Sequence, residues 1–171
     1  MLIGHLPAGY LAARYLWWRS HALRSLEWKP LVATALLGSV FPDLDWFYFY
    51  FVDHRRHHHH TYWTHLPIFW ALAIPIALLS LRAARTPRAF ALAAMFGGTS
   101  FVHLLLDSIV GQIWWLYPWV DEPFSLFVVN TVYRPWWLNF ILHWSFLLEA
   151  ALLGAATYVY VRGRNPTPWK G

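Results

Sequence analysis

The chain has 171 residues, of which 58% are hydrophobic, 20% are aromatic and only 12% are charged. Soluble globular proteins contain about 45–50% apolar and about 25% charged residues, so this composition excludes intrinsic disorder and argues against an ordinary soluble domain. The chain has no cysteine, which excludes disulfides and thiolate metal sites. In so apolar a chain, basic residues that give a net charge of +5 are more typical of a protein whose charges set its orientation in a membrane than of one that binds nucleic acid.

Five apolar segments approach the length of about 20 residues that a membrane-spanning helix needs. They cover about residues 2–18, 30–52, 66–81, 88–110 and 138–161. The first is short, and Pro42 interrupts the second. The tryptophan-rich stretch 111–137 is typical of an interfacial loop or re-entrant segment, because tryptophan favours the membrane–water interface. The sequence therefore predicts one domain over 1–171 with an all-α fold, a polytopic membrane helical bundle of about five helices.

The basic residues indicate an orientation. If all five segments span, the loops alternate between two faces, and all but three of the 13 Lys and Arg residues fall on one face. The exceptions are Arg55, Arg56 and Arg134. By the positive-inside rule the basic face is cytoplasmic, which places the N-terminus outside and the C-terminus inside. A first helix that lies along the interface is the open alternative.

Ionisable residues at membrane depth are energetically costly and are functional-site candidates by default. In the predicted topology several of them lie near the outer end of their segments, although they are far apart in sequence: His5, Asp43, Asp45, His65, His103, Asp107 and His143. Glu149 lies about 9 Å further along its segment than His143 and is interpreted as structural. The sequence therefore predicts one polar site near the outer leaflet.

His103 and Asp107 are spaced i and i+4, which places both side chains on one helix face. An imidazole and a carboxylate in this arrangement can hold one metal ion or bridge two. The alternative is a buried His–Asp hydrogen bond, because buried polar groups are generally paired.

Asp43 and Asp45 follow Pro42, which removes a backbone donor and disfavours helical geometry at Phe41. Both carboxylates could then leave helical spacing and reach inward. Carboxylates combined with imidazoles suit zinc, manganese or iron, whereas carboxylates alone suit magnesium or calcium. The alternative is a helix end with aspartate as its cap.

The loop 53–65 contains six of the ten histidines. The residues that bracket the His57–His60 run are the better candidates for a site: His54 and Arg55 before it, and His65 at the start of the third segment. Arg55 could hold an anionic substrate, because guanidinium binds phosphate oxygens bidentately. Attraction to lipid head groups is the alternative for this arginine.

Over about residues 4–118 the sequence resembles the YdjM-like family of membrane-bound, metal-dependent hydrolases. The resemblance rests on an ordered set of short motifs: Gly4-His5, Phe41-Pro42-Asp43-Leu44-Asp45, His54-Arg55, Thr64-His65 and His103-Leu104-Leu105-Leu106-Asp107. That family is distantly similar to zinc-dependent phospholipase C and P1-type nucleases. The resemblance implies a bacterial inner-membrane protein with one or two divalent ions, zinc before manganese or magnesium. It implies that the ligands come from His5, Asp43, Asp45, His65, His103 and Asp107.

The residues and the resemblance together predict hydrolysis of a phosphoester in a lipid or lipid-linked substrate by metal-activated water. Asp43 or Asp45 would take the proton, Arg55 would neutralise phosphate charge, and His54, His60 and His143 are possible additional site residues. Two alternatives stay open: a membrane scaffold with a structural polar cluster, and a haem or proton-handling protein that uses His103 and His143. The bilayer is the expected partner and nucleic acid is not; the oligomeric state is not predicted.

Overall fold

Eight α-helices and three 3₁₀ turns build the computed structural model of this protein, which describes residues 3–163. The α-helices are α1 His5–Arg19, α2 His21–Arg24, α3 Trp28–Val40, α4 Asp45–Phe51, α5 Pro67–Ala83, α6 Pro87–Asp107, α7 Trp136–Ile141 and α8 Phe146–Arg162. The 3₁₀ turns are Pro42–Leu44, His59–Thr61 and Trp63–His65. Over the described range there is no β-strand, only one isolated bridge between Ile113 and Phe124. The all-α class is therefore confirmed, with more and shorter helices than predicted.

The five predicted segments correspond to α1, α3 with α4, α5, α6, and α7 with α8. The long helices run alternately up and down, so that the start of α1, the end of α3, the start of α5 and the end of α6 meet at one end of the bundle. Contacts between His5 and Asp107 and between His103 and the Ser39 carbonyl mark this end. We call it the site end. The opposite end, where Glu27 meets Arg88, is the basic end.

Two of the predicted segments are not continuous helices. In the second, Pro42 starts a 3₁₀ turn after Phe41, and a new α-helix begins at Asp45. The fifth is also broken, because α7 ends at Ile141 and α8 begins only at Phe146. In this second break the His143 ring bonds the Ser145 hydroxyl at 2.8 Å, a local side-chain interaction that competes with helical hydrogen bonding.

One helix in the described range, α6, is both long and apolar enough to cross a membrane by itself. α5 is equally apolar but has 17 residues, and α1 has 15. A helix of 17 residues extends about 25 Å, against a hydrocarbon core of about 30 Å. The five-span topology and the positions of the termini therefore remain predictions; residues 1, 2 and 164–171 lie outside the described range.

The distribution of side chains is reversed relative to a soluble protein. α5 exposes Leu72, Ile76 and Leu79, which recur at i, i+4 and i+7 along one face. In the described part of the chain, fully buried polar and charged side chains outnumber fully buried apolar ones. A polar interior with an apolar exterior is the arrangement expected where lipid replaces water around the bundle.

Small residues allow α3 and α6 to approach closely. A Cβ atom at Gly38 would overlap the Phe96 carbonyl and the Thr99 hydroxyl. Ser100 donates a hydrogen bond to the Gly38 carbonyl at 2.9 Å. This contact places the following carbonyl, that of Ser39, against the His103 ring.

Glu149 fixes the start of α1. Its carboxylate is 1% exposed and accepts hydrogen bonds from the backbone N–H groups of Ile3 at 2.6 Å and Gly4 at 3.0 Å. Hydrogen bonds to a charged group contribute about 1.5–3 kcal/mol, roughly twice those to a neutral one. Glu149 therefore holds the turn that presents His5 to the site end.

Glu149→Gln is expected to lower the free energy of unfolding by about 1–3 kcal/mol, because a neutral amide accepts these two bonds more weakly. Thermal unfolding of the detergent-solubilised protein measures the effect, and Glu122→Gln, at an exposed position, is the matched control. Equal melting temperatures for the two variants would show that Glu149 does not anchor α1.

Candidate metal centre

A compact group of imidazoles and carboxylates lies at the site end. One potential ligand atom from each of Asp43, His65, His103 and Asp107 falls within 4.8 Å of the others. Asp43 comes from the 3₁₀ turn after α3, His65 from the 3₁₀ turn before α5, and the other two from the last turns of α6. The structure thus brings together residues that are up to 64 positions apart in sequence.

Asp107 lies at the centre of this group and is 1% exposed. Its Oδ2 atom is 2.9 Å from Nε2 of His103, 3.5 Å from Nε2 of His65 and 3.8 Å from Nε2 of His60. Its Oδ1 atom is 3.1 Å from Nε2 of His5, whose ring stacks on His103 with centroids 3.7 Å apart. Three imidazole nitrogens therefore surround one carboxylate oxygen.

The opposite nitrogen of each of these three rings is held by an oxygen acceptor. Nδ1 of His103 lies 2.8 Å from the Ser39 carbonyl, and Nδ1 of His60 lies 3.1 Å from the Gln112 carbonyl. A carbonyl can only accept, so both Nδ1 atoms carry the hydrogen. The neutral rings then present a lone pair at Nε2, which is the arrangement found in metal-ligating histidines.

His65 completes the pattern through Asp45. Its Nδ1 is 2.5 Å from Oδ2 of Asp45, which also accepts a hydrogen bond of 2.8 Å from the Thr64 hydroxyl. This is a carboxylate–histidine pair of the kind that orients a metal ligand from behind. The structure therefore gives Asp45 an orienting contact with His65 rather than the position of a ligand in the Asp43, His65, His103 and Asp107 group.

The spacing of the ligand atoms fits a small cation. Nε2 of His65 and Nε2 of His103 are 3.3 Å apart, and Oδ1 of Asp43 is 3.8 and 3.6 Å from them. A tetrahedral zinc centre with bonds of about 2.0–2.2 Å has ligand–ligand separations of about 3.3–3.6 Å. Two lone pairs and two carboxylates at these distances repel one another unless a cation or protons lie between them.

Two histidines of the 53–65 loop, His60 and His65, differ in protonation. Burial would lower the pKa of His65, but hydrogen bonds and charge from Asp107 and Asp45 raise it to about 9. Burial holds the pKa of His60 well below its ordinary value, although the Asp107 carboxylate opposes this. His60 is therefore a neutral donor at pH 7, and His65 carries the proton that a cation would replace.

A second, overlapping group consists of His59, His60 and His65. Nδ1 of His59 and Oδ1 of Asp45 are 3.7 Å apart, and both atoms are buried without a hydrogen-bond partner among the described residues. Sequence reasoning missed His59. A tract of four identical residues has no periodicity that would distinguish the inward-facing rings. The contact between the Trp46 and His59 rings, whose centroids are 5.0 Å apart at an angle of 55°, is visible only in three dimensions.

Three candidates from the sequence lie elsewhere. His54 and Arg55 are exposed and have positive φ angles of 50° and 63°, so they form the chain reversal after α4. The Arg55 guanidinium lies 5.8 Å from the centroid of the Tyr50 ring. His143 bonds Ser145 in the break between α7 and α8. The structure therefore places none of the three in either group of potential ligands.

A cavity of about 590 Å³ opens beside the group. Asp43, His59, His60 and Asp107 line one wall. The 111–137 loop and α7 form much of the rest with apolar side chains, among them Val128, Val129, Trp136 and Phe140. Among the described residues that line this cavity there is no Lys or Arg. A bound molecule would thus meet carboxylates and imidazoles on one side and an apolar surface on the other.

Gly111 leaves space for the His60 ring. A Cβ atom there would lie 2.7 Å from Cε1 of His60 and 2.9 Å from the Asp107 carbonyl. Gly111→Ala is therefore expected to displace the ring and to lower the affinity of the group for added zinc by about 10-fold or more, the loss typical of changes to residues that orient metal ligands. Gly98→Ala is the matched control, because its Cβ meets nothing within 4 Å. Competition titration with a chelator measures both; equal affinities would contradict a role for His60.

One comparison of this chain with known proteins gives a match. The model of the family described as YdjM inner membrane protein matches residues 1–166, which include every residue of the site. Searches of the curated proteins and of the solved structures gave no match. A match over nearly the whole chain, together with the apolar exterior and polar interior of the bundle, shows that this protein is a member of the YdjM inner membrane protein family.

Proposed function

We propose that this protein is a membrane-bound hydrolase that depends on one or two divalent cations, with zinc as the first choice. The observation that carries the proposal is the convergence of three Nε2 atoms, from His60, His65 and His103, on one buried oxygen of Asp107. Each ring is fixed from behind by an oxygen acceptor. A purely structural cluster would not need the Nε2 atoms of all three rings to face one point beside a cavity.

The donor set favours zinc. His65, His103 and Asp107 would hold one ion and leave room for a water molecule beside Asp43, and His59 with His60 would hold a second ion if two are bound. Mixed nitrogen and carboxylate donors suit zinc or manganese, whereas magnesium prefers oxygen ligands alone. A divalent cation in this position would lower the pKa of water toward about 7 and polarise a phosphoryl oxygen.

Asp43 is the carboxylate best placed to take a proton from the attacking water. Its side chain is 35% exposed and borders the cavity, while Asp45 is buried behind His65. General bases need to be within hydrogen-bonding reach of the proton they remove. Because Arg55 is exposed and lies over the Tyr50 ring, the cation and not this arginine would neutralise the phosphate charge.

The substrate class follows from the cavity and its surroundings. A volume of about 590 Å³ lies within the range of about 300–1,000 Å³ typical of small-molecule sites. Its wall of valine, tryptophan and phenylalanine side chains suits the apolar part of a molecule whose polar group reaches Asp43 and Asp107. A phosphoester in a lipid or lipid-linked molecule combines these two properties.

The direct test is phosphate-ester hydrolysis by the purified protein in detergent–lipid micelles. We expect zinc-loaded protein to cleave a phospholipid phosphoester, and we expect chelation to abolish this and zinc to restore it. Asp107→Asn should remove the activity, and Asp121→Asn, an exposed carboxylate, should leave it unchanged. Either of two results would contradict a metal-dependent lipid hydrolase. One is activity that persists after chelation; the other is that the metal-loaded protein hydrolyses neither diacyl nor polyprenyl phosphoesters.

A further inference from the structure

A second cavity lies at the basic end of the bundle, far from the metal centre. It has a volume of about 980 Å³ and lies between α1 and α2 on one side and α5 and α6 on the other. Its interior is mostly apolar and includes Leu23, Leu26, Phe90, Ala94 and Met95. This groove has no role in the proposed hydrolysis.

Arginines surround one edge of the groove. Arg82, Arg85 and Arg88 all line it and all are exposed; Arg82 is in the last turn of α5, Arg85 in the connecting turn and Arg88 in the first turn of α6. The turn is closed by hydrogen bonds from the Arg85 N–H to the Arg82 carbonyl at 3.1 Å and from the Thr86 N–H to the Leu81 carbonyl at 3.1 Å. Three arginines are therefore concentrated where α5 ends and α6 begins.

The lining contains no acidic residue within the described range. Among the described residues, Glu27 pairs with one of these arginines: its Oε2 is 3.7 Å from Nη2 of Arg88, and both side chains are exposed to solvent. Exposed ion pairs of this kind are weak and exchange readily. The edge of the groove thus keeps a net positive charge that suits an anion.

The groove and the metal centre lie at opposite ends of α6. That helix has 21 residues from Pro87 to Asp107 and so extends about 31 Å, the thickness of a hydrocarbon core. With the metal centre at one interface, the groove opens at the other. This is the basic end, and anionic lipids attract basic residues at the cytoplasmic surface.

We propose that this groove binds an anionic phospholipid, with an acyl chain against Leu23, Phe90 and Met95 and the phosphate on Arg82, Arg85 and Arg88. Guanidinium groups bind phosphate oxygens bidentately, which accounts for three arginines rather than lysines. An acyl chain would contact the apolar interior, whereas inorganic phosphate alone would leave that interior without a contact. The combination of arginine edge and apolar interior favours a lipid over a soluble anion.

The test is titration of the purified protein with short-chain phosphatidylglycerol, short-chain phosphatidylcholine and inorganic phosphate. We expect phosphatidylglycerol to bind at least 10-fold more tightly than either of the others. Neutralising the edge with Arg82→Gln, Arg85→Gln and Arg88→Gln together should remove this preference. Neutralising Arg55, Arg56 and Arg134 together removes the same charge at the other end and should leave lipid affinity unchanged.

Ala94→Trp tests the contribution of the apolar interior apart from that of the charges, because it fills the interior and keeps the three arginines. We expect it to weaken phosphatidylglycerol binding at least 10-fold. Four results would overturn the proposal: equal affinity for the two lipids, equal affinity for phosphate and phosphatidylglycerol, equal loss in the two arginine triples, or unchanged binding in Ala94→Trp. Each variant's melting temperature verifies that it is folded.

Discussion

Asp107→Asn is expected to reduce zinc affinity by more than about 100-fold, beyond the range of changes at outer-shell residues. The substitution keeps the shape of the side chain but removes the charge from an oxygen that lies 2.9 Å from His103 and 3.5 Å from His65. The same carboxylate also faces His5 and His60, so the substitution weakens the acceptor that four imidazole rings share. Metal analysis of the purified variant, followed by chelator competition, measures the loss.

The matched control for this prediction is Asp121→Asn, which removes a carboxylate from an exposed position. Its zinc affinity should equal that of the parent protein. A melting temperature for each variant separates loss of metal from loss of folding. If Asp107→Asn is folded and keeps the parent's affinity, Asp107 is not the central ligand and the arrangement of donors proposed for this site is wrong.

Asp45→Asn is expected to lower zinc affinity by about 10–100-fold, less than the loss at Asp107. Asp45 accepts from Nδ1 of His65 and from the Thr64 hydroxyl, and its negative charge raises the basicity of the Nε2 atom on the far side of the ring. An amide keeps the contact but not the charge. The His65 ring should therefore stay in place as a poorer donor.

Asp53→Asn is the control for Asp45, because it alters another aspartate paired with a histidine. Oδ1 of Asp53 is 2.7 Å from Nδ1 of His57, but the His57 ring is exposed and belongs to neither group of potential ligands. Chelator competition should show no change for this variant. If Asp45→Asn removes zinc as completely as Asp107→Asn, Asp45 is a ligand and not an orienting residue.

The convergence of the site residues could be predicted from the sequence, because it depends on spacing within a helix and on the alternating direction of consecutive helices. His103 and Asp107 are one turn apart on α6, and alternation of the long helices brings His5 and His65 to the same end. Pro42 breaks the second segment, as its missing N–H requires. These features depend on local chemistry and chain direction, and both can be deduced without coordinates.

Other features depend on packing between segments and could not be deduced in this way. The second break, near Ser145, coincides with a His143 contact that competes with helical hydrogen bonding. His59 faces inward beside Trp46, and Arg55 lies outside in the chain reversal after α4. The backbone carbonyls of Ser39 and Gln112, which orient two of the rings, have no sequence signal because every residue carries a carbonyl.

X-ray absorption at the zinc edge of the loaded protein tests the central claim most directly. We predict four nitrogen or oxygen ligands at about 2.0–2.2 Å, with the outer-shell scattering of at least two imidazole rings. Asp107→Asn should lose this signature, and Asp121→Asn should keep it. A zinc spectrum with oxygen ligands alone and no imidazole scattering would contradict a metal centre built on His65 and His103.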